Sequence, residues 1–151
     1  MVLAGRHRQD VVAVDHADKT VAKYVKYLRE YEACHLVMLV THMGLAQQVG
    51  LANNPVCTGV DFILGADTHE RVRVPIECKY TKVVECGAFG SFLGKLELEV
   101  ADGKLKNYQY DLLDVDPEIY PPDPELVEMI HNAARPFDEE LKKVIGYSST
   151  P

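Results

Sequence analysis

Two β-branched apolar runs each end abruptly in a polar cluster containing histidine: Val37-Met-Leu-Val-Thr-His-Met-Gly44 and Val60-Asp-Phe-Ile-Leu-Gly-Ala-Asp-Thr-His69. A buried parallel strand reads as such a run, and chemistry in α/β proteins collects where the strand's carboxyl end meets the next loop. His42, Asp67 and His69 would then lie along one rim of a sheet, and mixed imidazole and carboxylate donors suit Mn, Fe, Zn or similar divalent ions. Read alone, Asp67-Thr68-His69 fits equally a pair of ligands on one side of an extended backbone or a turn with a capping aspartate. The occurrence of both clusters after consecutive strands favours a metal site. Asp15-His16 is a weaker candidate, because adjacent residues in a strand point to opposite faces; it reads as a solvated strand end. His7, His35 and His131 carry no spacing signal.

The elements that must position these residues follow from periodicity. Residues 10–16 read as a strand, after which Asp18 caps a helix over 19–33. Val21, Tyr24, Val25, Leu28 and Tyr31 make one apolar stripe, with Lys19, Lys23, Lys26, Arg29 and Glu30 on the other side. A strand at 35–41, a helix or helical turn at 44–53 ended by Asn53-Asn54-Pro55, and a strand at 60–65 complete a parallel β-α-β unit with crossover helices. Residues 72–78, 80–86, 91–100 and 104–113 alternate apolar and polar and are expected to be antiparallel. Asp102-Gly103 marks a hairpin, and Gly87, Gly90 and Gly94 are expected to serve a tight turn and close strand approach. A proline-rich connector, 116–124, leads to a helix bearing Leu126, Val127, Ile130 and Ala134, which Pro136 breaks. A second helical piece runs to Gly146, and Ser148–Pro151 reads as the start of a linker.

Composition narrows the possibilities. A chain of 151 residues with 47% hydrophobic content can bury a core. The net charge of −7 argues against a nucleic-acid polymer as partner. No apolar run approaches the roughly 18 residues that span a bilayer. The first residues lack the apolar segment of a signal peptide, which leaves the compartment open. Cys34, Cys57, Cys78 and Cys86 show no paired spacing and are expected to be buried or half-buried thiols.

Three segments in order carry a family resemblance: Leu39-Val-Thr-His-Met-Gly44, Gly59-Val-Asp-Phe-Ile-Leu-Gly-Ala-Asp-Thr-His69 and Glu85-Cys-Gly-Ala-Phe-Gly-Ser-Phe-Leu-Gly-Lys-Leu-Glu-Leu98. Over roughly residues 20–113 the chain resembles the later part of a calcineurin-like metallophosphoesterase domain of the 5'-nucleotidase type. The resemblance implies an α/β fold, a partial metallophosphoesterase sandwich in which a short parallel β-α-β unit precedes antiparallel strands and a C-terminal helix. Residues 1–115 would form the partial domain, parallel over 10–69 and antiparallel over 70–115. Residues 116–151 would be a proline-rich connector and helical linker toward a separate substrate-binding domain.

The family carries two divalent metal ions (Mn, Zn, Fe or Mg) that activate water against a phosphate ester or nucleotide. By position His42 matches its lone-histidine ligand, while Asp67 and His69 match the two histidines of its Gly-His-x-His motif. Asp67 departs from that pattern and hardens the site toward Mn, Mg or Fe. The family's earlier Asp-x-His, Gly-Asp and Gly-Asn-His motifs have no match before residue 37, so the metal site is expected to be partial and the chain inactive by itself. Half a sheet also presents an exposed edge, through which a homodimer is expected. The other reading is a non-catalytic metal-binding or self-associating module.

Overall fold

Val21 and Val25, one helical turn apart, are the buried side of α1 (Ala17–Glu30), with Leu28 half-buried beyond them. Lys19, Lys23, Lys26 and Glu30 face water. The computed structural model describes residues 17–147; the strand expected at 10–16, the Asp15-His16 pair, His7 and the linker at 148–151 lie outside the described residues. The helix already includes Ala17, so Asp18 lies within its first turn instead of capping it.

Helix α1 ends earlier than the stripe suggests. Its last turn closes when the amides of Glu32 and Cys34 donate to the carbonyls of Tyr27 and Leu28, and Ala33 turns the chain at φ 51°. Tyr31 therefore leaves the stripe and stands 74% exposed. Arg29, expected on the solvated side, bends inward instead. Its guanidinium donates to the carbonyls of Cys34, His35 and Gly59 and pairs with Asp61 at 2.6 Å. Asp61 also accepts the Val37 amide at 2.8 Å. A charge-assisted clamp thus joins the end of the helix to the entrances of two strands.

Those strands are β1 (Met38–His42) and β2 (Phe62–Ala66), parallel from Met38 opposite Phe62 to His42 opposite Ala66. Between them, α2 (Leu45–Ala52) and a 3-10 turn at Pro55–Cys57 make the crossover. Asn54 starts that turn by accepting the Val56 amide on its side chain. The sheet continues with β3 (Ile76–Glu77) and β4 (Lys82–Glu85) in the order β1-β2-β4-β3.

One expectation is corrected here. Alternation places residues 80–86 with the antiparallel strands, yet β4 runs parallel to β2 and is antiparallel only to the short β3. Val83, Val84 and Glu85 are all buried. A strand in the middle of a parallel sheet is covered on both faces, so alternation is the wrong test for it. Val21, Val25, Val37, Leu39, Ala52, Cys57, Val60, Ile63 and Val83 form the core on the helix side. On the opposite face the fully buried Phe62 meets the Tyr108 ring edge-on at 5.2 Å.

Tyr108 belongs to β6 (Lys104–Asp114), which pairs antiparallel with β5 (Phe92–Ala101). The hairpin turn is as read from Asp-Gly, with Asp102 at φ 51° and Gly103 at φ 68°. Leu96 and Leu98 are half-buried between exposed Lys95, Glu97 and Glu99. A register shift at Glu99/Val100 breaks the alternation and leaves Val100 exposed. Gly87 and Gly90 take positive φ, and a Cβ at Gly94 would sit 2.4 Å from the Cys86 sulfur. The Tyr108 hydroxyl donates to Glu77 at 2.6 Å, which with partial burial pushes its pKa up to about 12. The cysteines are thiols, buried at Cys57 and half-buried at Cys34, Cys78 and Cys86.

A second compact unit begins at Asp116. Asp123 caps α3 (Pro124–Ala134) by accepting the amides of Glu125 and Leu126, with Pro124 at the first helical position. Pro136 ends the helix as expected, in a 3-10 turn at Arg135–Phe137. The piece beyond, α4 (Asp138–Leu141), stops short of Gly146. Leu126 and Ile130 are largely exposed, and Val127 and Ala134 half-buried. Among the described residues no helix is long and apolar enough to cross a membrane.

Candidate metal site

The carboxyl ends of β1, β2 and β4 lie side by side, and each carries polar residues out of an apolar run. His42 closes β1, Asp67 follows β2 directly, and Glu85 closes β4. The parallel register makes this inevitable, since His42 stands opposite Ala66 and Gly65 opposite Glu85. His42 Nδ1 and Asp67 Oδ1 are 3.6 Å apart, with side chains 71% and 46% exposed. Two donors of different type therefore meet at an open rim, accessible to an ion from solvent.

The third expected ligand is placed differently. Asp67-Thr68-His69 is not extended: Asp67 has φ 110° and His69 φ 59°. The turn sends the His69 ring against Phe89, edge-on at 5.2 Å. Phe89 is itself at φ 60° and 92% exposed. The structure thus brings His42 and Asp67 together but does not draw His69 into one set with them. Among the described residues, no three His, Cys, Asp or Glu side chains are grouped to hold a metal ion. Non-glycine residues in the left-handed region cost about 1–2 kcal/mol each, so this loop needs support from its surroundings.

That support is a buried polar layer that sequence reasoning missed. Glu85 is 1% exposed. Its carboxylate accepts the Gln48 side-chain amide at 2.9 Å, the Thr68 hydroxyl at 3.2 Å and the Glu70 amide at 3.0 Å. Thr68 Oγ in turn accepts the Leu45 amide at 3.2 Å, where α2 begins. Gln48, fully buried on α2, also donates to the Met43 carbonyl at 2.6 Å. Thr41, Gly65 and Glu85 form one row across three strands, and the Gln48 amide lies on Gly65. Thr41 Oγ and Gln48 Oε1 are buried there with no hydrogen-bond partner. A signal existed in the sequence: Glu85 ends the run Lys82-Val83-Val84, the same apolar-to-polar break that marks His42 and Asp67. The carboxylate has three donors around it and is held where the loops after β1 and β2 leave the sheet.

Polar groups at the carboxyl ends of parallel strands are common to α/β proteins of many kinds, and comparison with known proteins narrows the fold. No family model and no curated protein matches the chain. Solved structures do. One is the sulfate thiohydrolase SoxB of Thermus thermophilus, in complex with glycerol: 26% identity and a TM-score of 0.72 over 81% of this chain and 22% of that one. Another is a 5'-nucleotidase precursor, also from Thermus thermophilus: 22% identity and a TM-score of 0.74 over 86% of this chain and 29% of that one. The chain has the fold of part of a 5'-nucleotidase-type domain. It spans less than a third of the length of either solved relative.

Proposed function

We propose that this chain forms one wall of a divalent-metal centre in a 5'-nucleotidase-like hydrolase, with His42 and Asp67 as ligands and His69 as a third once its ring turns away from Phe89. The observation that carries the reading is the approach of His42 Nδ1 and Asp67 Oδ1 to 3.6 Å at the rim of adjacent parallel strands. Imidazole with carboxylate accommodates Mn, Zn, Fe or Mg, and the carboxylate of Asp67 favours the harder ions among them. A bound ion supplies charge at the phosphoryl oxygens and lowers the pKa of coordinated water. His42 and Asp67 would hold it, and the open rim leaves room for an ester to approach. The substrate class is a nucleoside monophosphate or related phosphate ester, by likeness to a neighbour named for 5'-nucleotides.

The polypeptide alone is expected to be inert. Catalysis needs preorganised charge on all sides of the developing transition state, and two close donors supply one side. In an assay with Mn²⁺ and AMP or p-nitrophenyl phosphate, hydrolysis by the 151-residue chain should not rise above a no-protein control. Robust turnover that His42→Ala abolishes would refute the inert half of the reading while strengthening its metal half.

A second reading, self-association, draws on β1. Among the described residues it is an outer strand of the sheet, and Met38 and Val40 on it are 37% and 47% exposed. An apolar outer strand is a template for pairing with another copy. Light scattering after gel filtration is expected to give a dimer mass for the wild type and a monomer mass for Val40→Lys. A wild-type chain that stays monomeric at high micromolar concentration removes this reading.

A further inference from the structure

Asp67 and His69 sit at φ angles that side chains rarely adopt, in an exposed loop that has no helix or strand of its own to hold it. Such a loop relaxes unless neighbouring groups over-determine it. Two tethers run from the loop to the Glu85 carboxylate. Thr68, just before His69, donates its hydroxyl, and Glu70, just after it, donates its amide. The backbone of β4 adds a third tie, since the Glu85 carbonyl accepts the Val72 amide at 3.0 Å. Gln48 then links this carboxylate to the other cluster. Its amide donates to Glu85 Oε2 and to the carbonyl of Met43, the residue after His42.

We propose that Glu85 is a positioning residue: through Thr68, Glu70 and Gln48 it fixes the two loops so that His42 and Asp67 face each other. The functional consequence rests on the metal reading above, whereas the pose of the loop does not. Glu85 reaches no ion itself. It is fully buried, and its oxygens are occupied by donors from the loop and from α2. Groups that orient ligands in this way are commonly worth about 10- to 100-fold in metal affinity.

The test uses the 151-residue chain and two readouts, exchange of the Glu70 amide without metal and calorimetric titration with Mn²⁺. Glu85→Leu keeps the volume and removes both acceptors. It is expected to speed Glu70 exchange and to weaken Mn²⁺ binding by about tenfold or more. Glu85→Gln keeps an oxygen for Thr68 and Glu70 but sets its amide against the Gln48 amide, so it spares the loop tethers and breaks only the link to Gln48. This variant should exchange near the wild-type rate, a rescue that loss of packing alone would not show. Should Glu85→Leu fail to fold, Thr68→Val removes one tether from an exposed position and is expected to move both readouts in the same direction at unchanged thermal midpoint. Faster Glu70 exchange in a variant of a chain that binds no Mn²⁺ upholds the lock and removes the metal reading. Unchanged exchange and unchanged Mn²⁺ affinity in Glu85→Leu, or in Thr68→Val where the former unfolds, overturn the proposal.

Discussion

Gly65→Ala is expected to destabilise the chain by about 2–5 kcal/mol, a large share of the stability of a domain this size. A Cβ at this position would lie 1.8 Å from Gln48 Oε1 and 2.6 Å from Gln48 Nε2. Gln48 has nowhere to go, because it is fully buried between α2 and the sheet. Either the strand shifts or the Gln48 amide leaves Glu85 and the Met43 carbonyl. The second outcome strands a buried carboxylate with one fewer donor, which is the more expensive course. Urea denaturation checks this. A change below about 0.5 kcal/mol would mean that the helix and sheet accommodate a methyl group at no cost, and that the buried polar layer is looser than its distances indicate.

Phe62→Ala is the other large effect, with an expected loss of about 3–5 kcal/mol. Its ring is fully buried on the face opposite the helices. There it packs edge-on against Tyr108 and beneath the Lys82 ammonium, 5.5 Å from the ring centre. The residue therefore joins the parallel sheet to the β5–β6 hairpin. Its removal leaves a cavity next to Tyr108, a half-exposed ring that cannot fill it alone. Thermal denaturation should show a lower midpoint in the alanine variant, with Phe62→Leu between it and the wild type. Equal midpoints for Phe62→Ala and wild type would contradict the assignment of this contact to the core.

The reach of the sequence divides along physical lines. The β-α-β unit is legible because Val37–Val40 and Phe62–Leu64 are apolar runs separated by a helix-length segment with a proline stop. The hairpin is legible because Asp102-Gly103 favours positive φ at both positions. The direction of strand 82–85 is not, since Lys82-Val-Val-Glu85 contains too few residues for periodicity to separate a central parallel strand from an outer antiparallel one. Arg29 deceives because its position on the helical wheel is polar, while its length lets it reach back to Asp61, 32 residues on. At the rim, the two strand ends are visible but their geometry is not. Read alone, Asp67-Thr68-His69 fits an extended pair or a turn equally well. The turn is decided by Glu85, a residue well beyond it in sequence, whose carboxylate is buried only once β4 takes its place beside β2.

A titration of the chain with Mn²⁺, followed by calorimetry, addresses the metal reading itself. Wild-type protein is expected to bind one ion saturably, and His42→Ala and Asp67→Ala are each expected to weaken that binding by more than about 100-fold, beyond the roughly 10- to 100-fold that loss of an orienting group costs. His69→Ala, whose ring rests on Phe89 rather than beside the pair, separates a two-donor site from a three-donor one. An affinity unchanged by both His42→Ala and Asp67→Ala, or no binding by the wild type, would contradict the reading of this strand-end rim as the wall of a metal centre.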